Sequence, residues 1–170
     1  MDHLRAPLRL NVGFIIKESI GYSRVFPFDY NQIHLKPDLD LENFFGNAEI
    51  SRTPQGLLVQ ANLNAHFAAE CVRCLTPLKV QLKTQFTELY ALSQRHASES
   101  GLILPEDGHI DLAPLVREYI ILEIPINPTC KPDCKGLCTV CGENLNERDC
   151  GHRNEVVEPR FSALKKLLSE

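Results

Sequence analysis

Cysteine supplies most of the chemistry this sequence could perform. Cys71-Val72-Arg73-Cys74 sets two thiols three positions apart. Cys130, Cys134, Cys138 and Cys141 then crowd into one short stretch closed by Gly142, and Cys150-Gly151-His152 follows soon after. Two cysteines separated by two residues can grip one metal ion from a tight turn, whose backbone amides offset the thiolate charge. Glycine after the second cysteine suits such a turn, because it reaches conformations that other residues avoid. Seven cysteines and His152 make eight ligands, enough for two closed tetrahedral zinc sites. A closed four-ligand site is structural, since a catalytic zinc keeps one position open for water. The preferred partition joins Cys71 and Cys74 to Cys130 and Cys134, which would tie the C-terminal segment to the body. Cys138, Cys141, Cys150 and His152 would form the second site. The other arrangement is one site built from Cys71/Cys74 and Cys138/Cys141, with Cys130, Cys134, Cys150 and His152 as bystanders.

Redox chemistry competes with metal binding at these thiols. A reactive dithiol usually sits at a helix N-terminus, which lowers the thiolate pKa. The flanks of Cys71 and Cys74 read instead as strands, although Arg73 is a nearby cation. Other chemistry finds little support. There is no Gly-rich phosphate loop, no His-Glu-x-x-His and no serine-nucleophile elbow. His3, His34, His66, His96 and His109 are scattered and read as solvated or core histidines. Asp107 and Asp111 read as loop and cap residues rather than a catalytic pair.

Composition narrows the class further. At 170 residues with 44% hydrophobic and 24% charged residues, the chain can bury a core and carry an ordinary surface. A net charge of -4 argues against a surface coated with basic residues for nucleic acid. The apolar runs, such as Ile120-Ile121-Leu122, fall far short of a membrane span. The start of the chain lacks the basic-then-apolar pattern of a secretory leader. A cytoplasmic location is therefore expected, where thiols stay reduced.

The elements that must position the cysteines come next. Leu8, Leu10, Val12, Phe14 and Ile16 alternate with mostly polar neighbours and predict a first strand. Tyr22 to Phe28 predicts a second, stopped near Pro27, and residues 29–43 read as an acidic connection. Phe44 to Arg52 leads into Thr53-Pro54-Gln55-Gly56, a tight turn. Leu57, Val59, Ala61, Leu63, Ala65 and Phe67 then alternate with Gln60, Asn62, Asn64 and His66. Leu78, Val80, Leu82, Thr84 and Phe86 do the same against Lys79, Gln81, Lys83 and Gln85. Cys71–Cys74 falls between these two strands, where a hairpin turn is due. Residues 93–109 read as a mobile polar surface loop. Asp111 reads as an N-cap, and Leu112, Leu115, Val116, Tyr119 and Ile120 at helical spacing predict a helix over 111–124, stopped by Pro125. The expected fold is α+β: an antiparallel meander, open to curling into a barrel-like form, with one covering helix. The domain plan is a sheet domain over 1–125, a cysteine-rich zinc-binding segment over 126–157 and a helical tail over 158–170.

Four stretches in order carry a family resemblance. They are Glu70-Cys71-Val72-Arg73-Cys74-Leu75, then Ile110-Asp111-Leu112 with the helix to Pro125. Next come Cys130 to Gly142 with Asn144-Leu145-Asn146, and Glu158-Pro159-Arg160-Phe161-Ser162-Ala163-Leu164-Lys165-Lys166-Leu167. Together the chain resembles the YceD family, whose role is accumulation of large-subunit ribosomal RNA. The resemblance implies a non-enzymatic factor in large ribosomal subunit biogenesis. Its partners would be a ribosomal precursor particle, rRNA or a ribosomal protein, with no membrane and no small-molecule substrate. Two zinc ions are the preferred cofactor content, with one as the alternative. Arg160, Phe161, Leu164, Lys165 and Lys166 are the candidate partner-binding residues, suited to docking on the protein's own sheet or in a partner's groove. A thiol-based redox or metal-sensing protein is the alternative reading. An RNA-processing nuclease ranks last, because no acidic or histidine constellation supports it.

Overall fold

Strict alternation decides the central strands. The computed structural model describes residues 7–96 and 100–152. In it, β4 (Gly56–Glu70) buries Leu57, Val59, Ala61, Leu63 and Ala65 on one face, and β5 (Pro77–Ala91) buries Leu82, Thr84, Phe86 and Tyr90. Both follow the period of two expected of a half-buried strand. They lie in a four-stranded sheet of order β2-β3-β4-β5, with β2 (Ser23–Leu35) and β3 (Leu39–Arg52) completing the meander. The β2–β3 and β3–β4 pairs are antiparallel. The sheet is open rather than barrel-like, with β2 and β5 as its edges.

The first half of the chain departs from the expected layout. Residues 29–43 are not a connection but the heart of a long hairpin, turning at Lys36–Asp38. Its apolar residues change phase: Phe28 points inward, then Ile33 and Leu35, while β3 buries Leu39 and Leu41 and then Phe44. A register shift between Glu42 and Phe45 causes the change on β3 and conceals the period. Pro27 does not stop its strand, because β2 is at the sheet edge, where a missing N–H is tolerated. Nor is residues 8–17 one strand. β1 (Arg9–Asn11) pairs only with the short β6 (His109–Asp111), and a single helical turn α1 (Gly13–Ile16) follows. Leu8, Val12 and Ile15 are wholly buried; the even spacing from Leu8 to Val12 breaks at Ile15, where the helical turn takes over.

The helix α2 (Ala113–Glu123) begins two residues later than expected. Leu112 is its N-cap, and the Asp111 carboxylate accepts the Ala113 N–H at 2.9 Å. Pro125 follows its C-cap, Ile124. Leu115, Val116 and Ile120 enter the same core as the strands, and Tyr119 stacks on Phe86 with ring centroids 4.6 Å apart. Within the stretch read as a mobile loop, residues 102–104 are tied to β5: Ala91 N–H donates to Leu102 O and Leu104 N–H to Ala91 O.

The chain divides into two compact units. One holds the sheet and helix, built from residues up to Ala69 and from Leu78 to Ile126. The other joins Glu70–Pro77, the β4–β5 turn, to the chain from Asn127 onward. This division differs from a simple cut at residue 125, because the hairpin tip carrying Cys71 and Cys74 belongs with the cysteine-rich segment. Among the described residues no helix is long and apolar enough to cross a membrane.

Candidate metal centres

Two turns of the same construction present the C-x-x-C pairs. In the first, Cys71 N–H donates to Thr76 O at 3.0 Å and Leu75 N–H donates to Cys71 O at 2.9 Å. In the second, Cys138 N–H donates to Glu143 O and Gly142 N–H to Cys138 O, both at 2.8 Å. Each turn ends in the left-handed region, at Leu75 (φ 58) and at Gly142 (φ 74). Such a loop aims its amides at the sulfur it encloses: Val140 N–H lies 3.4 Å from Cys138 Sγ.

The remaining ligands are brought in by the irregular chain between the turns. Val72 N–H donates to Pro128 O, which draws Cys130 toward the first turn. Arg73 then organises the next stretch: its guanidinium donates to Cys134 O at 3.0 Å and its own carbonyl accepts Leu137 N–H at 3.1 Å. Gly136 permits this approach. Its φ is +78°, and a Cβ there would sit 3.2 Å from the Arg73 carbonyl oxygen.

Eight ligand atoms result, in two groups of four. Cys71, Cys74, Cys130 and Cys134 form one, and Cys138, Cys141, Cys150 and His152 form the other. Within each group the ligand atoms lie within 4.8 Å of one another. Cys71 Sγ is 3.8 Å from Cys134 Sγ, and Cys74 Sγ is 3.5 Å from Cys130 Sγ. A tetrahedron with metal–sulfur bonds of about 2.3 Å has an edge of about 3.8 Å, whereas a disulfide needs about 2.05 Å. Donor type and spacing therefore fit a metal ion in either group. Cys71/Cys74 and Cys138/Cys141 fall in separate groups, not in one shared site.

The charges of the thiols are unequal. Burial pushes Cys71 up, but backbone N–H groups of Cys130, Cys74 and Arg73 more than offset it and bring it down to about 6. Cys138 falls to about 6 through the N–H groups of Cys141 and Val140. Cys74 is lowered chiefly by the Thr76 hydroxyl, whose oxygen is 3.2 Å from its sulfur. Cys130 moves the other way, pushed up to about 12 by desolvation and by the sulfurs of Cys74, Cys134 and Cys71. The residue as a whole is exposed, so the crowd of sulfurs is the cause we favour for its direction. Cys150 is raised as well: a hydrogen bond from the His152 backbone lowers it, but the sulfurs of Cys138 and Cys141 and burial outweigh that.

Thr76 and Asn146 are site residues that spacing alone did not single out. Asn146 donates its side-chain N–H to Cys134 Sγ at 3.3 Å, and its oxygen accepts Lys135 N–H at 2.9 Å. Asn144 orients it, accepting a second N–H of the Asn146 amide at 2.8 Å. The signal was present as Asn144-Leu145-Asn146, two amides one residue apart behind Gly142. His34, His66, His96 and His109 each have a local partner outside both groups. His3 lies outside the described residues, as do Arg160, Phe161, Leu164, Lys165 and Lys166.

Comparison with known proteins gives a consistent picture. The family model described as large ribosomal RNA subunit accumulation protein YceD matches residues 59–168, a span containing all eight candidate ligands. A Mycobacterium tuberculosis protein, named only as uncharacterized, is 34% identical over 137 residues, covering 77% of this chain and 61% of its own length. The chain thus spans about 61% of the mycobacterial relatives it matches. An Arabidopsis thaliana protein named as a chloroplastic large ribosomal RNA subunit accumulation protein YCED homolog is 38% identical over 63 residues, 37% of this chain and 20% of that protein. A Bacillus subtilis protein, also named as uncharacterized, is 30% identical over 105 residues, 59% of each chain. No solved structure matches.

Proposed function

The chain belongs to the YceD family, and on that premise we propose that it supports accumulation of large-subunit ribosomal RNA as a non-enzymatic, zinc-holding assembly factor. The observation that carries this is the family match itself, which runs through both four-ligand groups and the C-terminal Pro159–Leu168 stretch. Zinc is the ion of choice because it prefers four sulfur and nitrogen ligands and needs no redox change. With all four positions taken by protein, each ion would staple loops rather than activate water. The staples suit a segment whose described residues contribute nothing to the apolar core cluster. The cytoplasm, where thiols stay reduced, is the compartment this reading requires.

The partner is a large-subunit precursor particle, through its rRNA or a ribosomal protein. We assign the contact to Arg160, Phe161, Leu164, Lys165 and Lys166, whose mix of apolar and basic residues suits an amphipathic segment laid in a groove. Removing the gene should lower mature large-subunit rRNA relative to small-subunit rRNA, because unfinished particles expose rRNA to nucleases. Full-length protein should travel with precursor particles on a sucrose gradient, and a chain lacking residues 158–170 should not. Normal rRNA ratios and subunit profiles in the deletion strain, at optimal and low temperature, would overturn the reading.

A further inference from the structure

The two four-ligand groups differ in ways that bear on how firmly each would hold an ion. In the first, three ligands are closed off from solvent: Cys71, Cys74 and Cys134 are 0%, 5% and 4% exposed. Only Cys130 is open. In the second, Cys138 alone is buried, at 7% exposed, while Cys141 and His152 are exposed and Cys150 is half-buried. Support beyond the ligands differs too. Asn146 donates to Cys134 Sγ, Thr76 shares a hydrogen bond with Cys74 Sγ, and the Arg73 guanidinium holds the Cys134 carbonyl. These side chains restrain the first group from outside, the kind of contact that fixes ligand orientation and raises affinity. At the second group Cys138 Sγ is approached by the backbone Val140 N–H at 3.4 Å, while the Asn144 carboxamide bonds Glu147 and Asn146 rather than a ligand atom. Ligand charge separates them once more: four thiolates in the first, three thiolates and a neutral imidazole in the second.

A soluble ligand removes a bound ion by displacing protein ligands one after another, so the more exposed set yields first. Resting on the zinc reading above, we propose that the two centres exchange metal unequally. Cys71, Cys74, Cys130 and Cys134 hold a permanent staple. Cys138, Cys141, Cys150 and His152 form an exchangeable centre, which trades its zinc with small soluble metal-binding molecules while the first centre stays loaded. The protein then exists in a two-zinc and a one-zinc form, and local availability of zinc chooses between them.

The test uses the full chain loaded with two zinc ions and challenged with 4-(2-pyridylazo)resorcinol, a coloured zinc chelator. Release should run in two phases of one equivalent each, the first at least about tenfold faster. Native mass spectrometry between the phases should find the one-zinc species. His152→Ala should hasten the fast phase and His152→Cys should slow it, with the slow phase unchanged by either. Loss of both ions in one phase would overturn the inequality while leaving the zinc reading intact, as would a His152→Ala effect confined to the slow phase. A chain that takes up no zinc at all would instead overturn the reading beneath it.

Discussion

Preorganised amides do much of the work at individual thiols. Cys71 and Cys138, held near 6, are mostly thiolate at pH 7, while Cys130 near 12 and the raised Cys150 keep their protons. Metal must therefore displace protons from Cys130 and Cys150, whereas Cys71 and Cys138 have few left to give, since only the deprotonated sulfur binds. Seven thiols at the ordinary value of 9.0 would surrender nearly all their protons on loading at pH 7. Here release at pH 7 should fall clearly below seven, because Cys71 and Cys138 start mostly deprotonated, as measured with an indicator dye in weak buffer. It should grow as pH falls through 6, where Cys71 and Cys138 begin protonated. The same depressed values stabilise the metal-free fold above about pH 9, and that contribution is lost as pH falls through about 6. A release close to seven at pH 7 would contradict the proposed amide support. The ligands were legible from residue type and spacing, because thiols three apart admit few other uses. Thr76 was not, and Asn146 showed only as part of Asn144-Leu145-Asn146, because a hydroxyl or an amide acquires its meaning from what the fold sets beside it.

At the scale of elements, the two cysteine turns share one hydrogen-bond pattern but differ at the residue that needs a positive φ. Gly142 meets that need freely, whereas Leu75 meets it at a steric cost of about 1–2 kcal/mol. Gly142→Ala should thus weaken metal binding at the second centre by about 1 kcal/mol, near a factor of five, and leave the first unchanged. Competition against a chelator of known affinity measures both; an unaltered second centre would show that the turn does not constrain its ligands. The first turn was predictable because C-x-x-C between two alternating strands leaves room for little else, and the second because Gly142 follows Cys141. β4, β5 and α2 were legible for a similar reason: one uninterrupted period each. The β2–β3 hairpin was hidden by its phase shift between Tyr30 and Ile33 on one strand and Leu41 and Phe44 on the other. Its exposed Asp29, Asn31, His34 and Asp40 then read as a polar connection. At the start of the chain, α1 was hidden because Phe14 and Ile16 continue the even spacing of Leu8, Leu10 and Val12, although Ile15 is the residue the turn buries.

On the scale of the whole molecule, two kinds of interior coexist in one chain. The sheet unit rests on a continuous apolar cluster from Leu8 to Ile120. The other unit gathers its buried atoms around sulfur, with Cys71, Cys74, Cys134 and Cys138 in the interior. A segment so poor in apolar side chains cannot offset the entropy of ordering its loops by hydrophobic burial alone. Metal coordination is the chemistry that can, since structural zinc contributes on the order of 10–16 kcal/mol in small peptides. That the hairpin tip belongs with the cysteine-rich segment follows from ligand geometry, and no composition boundary near residue 70 announces it. The proposed assembly role draws on this: the cysteine-rich unit would have to be ordered, and zinc is what would order it. The most direct test is elemental analysis of full-length protein purified under reducing conditions without added metal. The account predicts about two equivalents of zinc per chain. A content near zero, with the cysteine-rich unit still folded by hydrogen exchange, would contradict it.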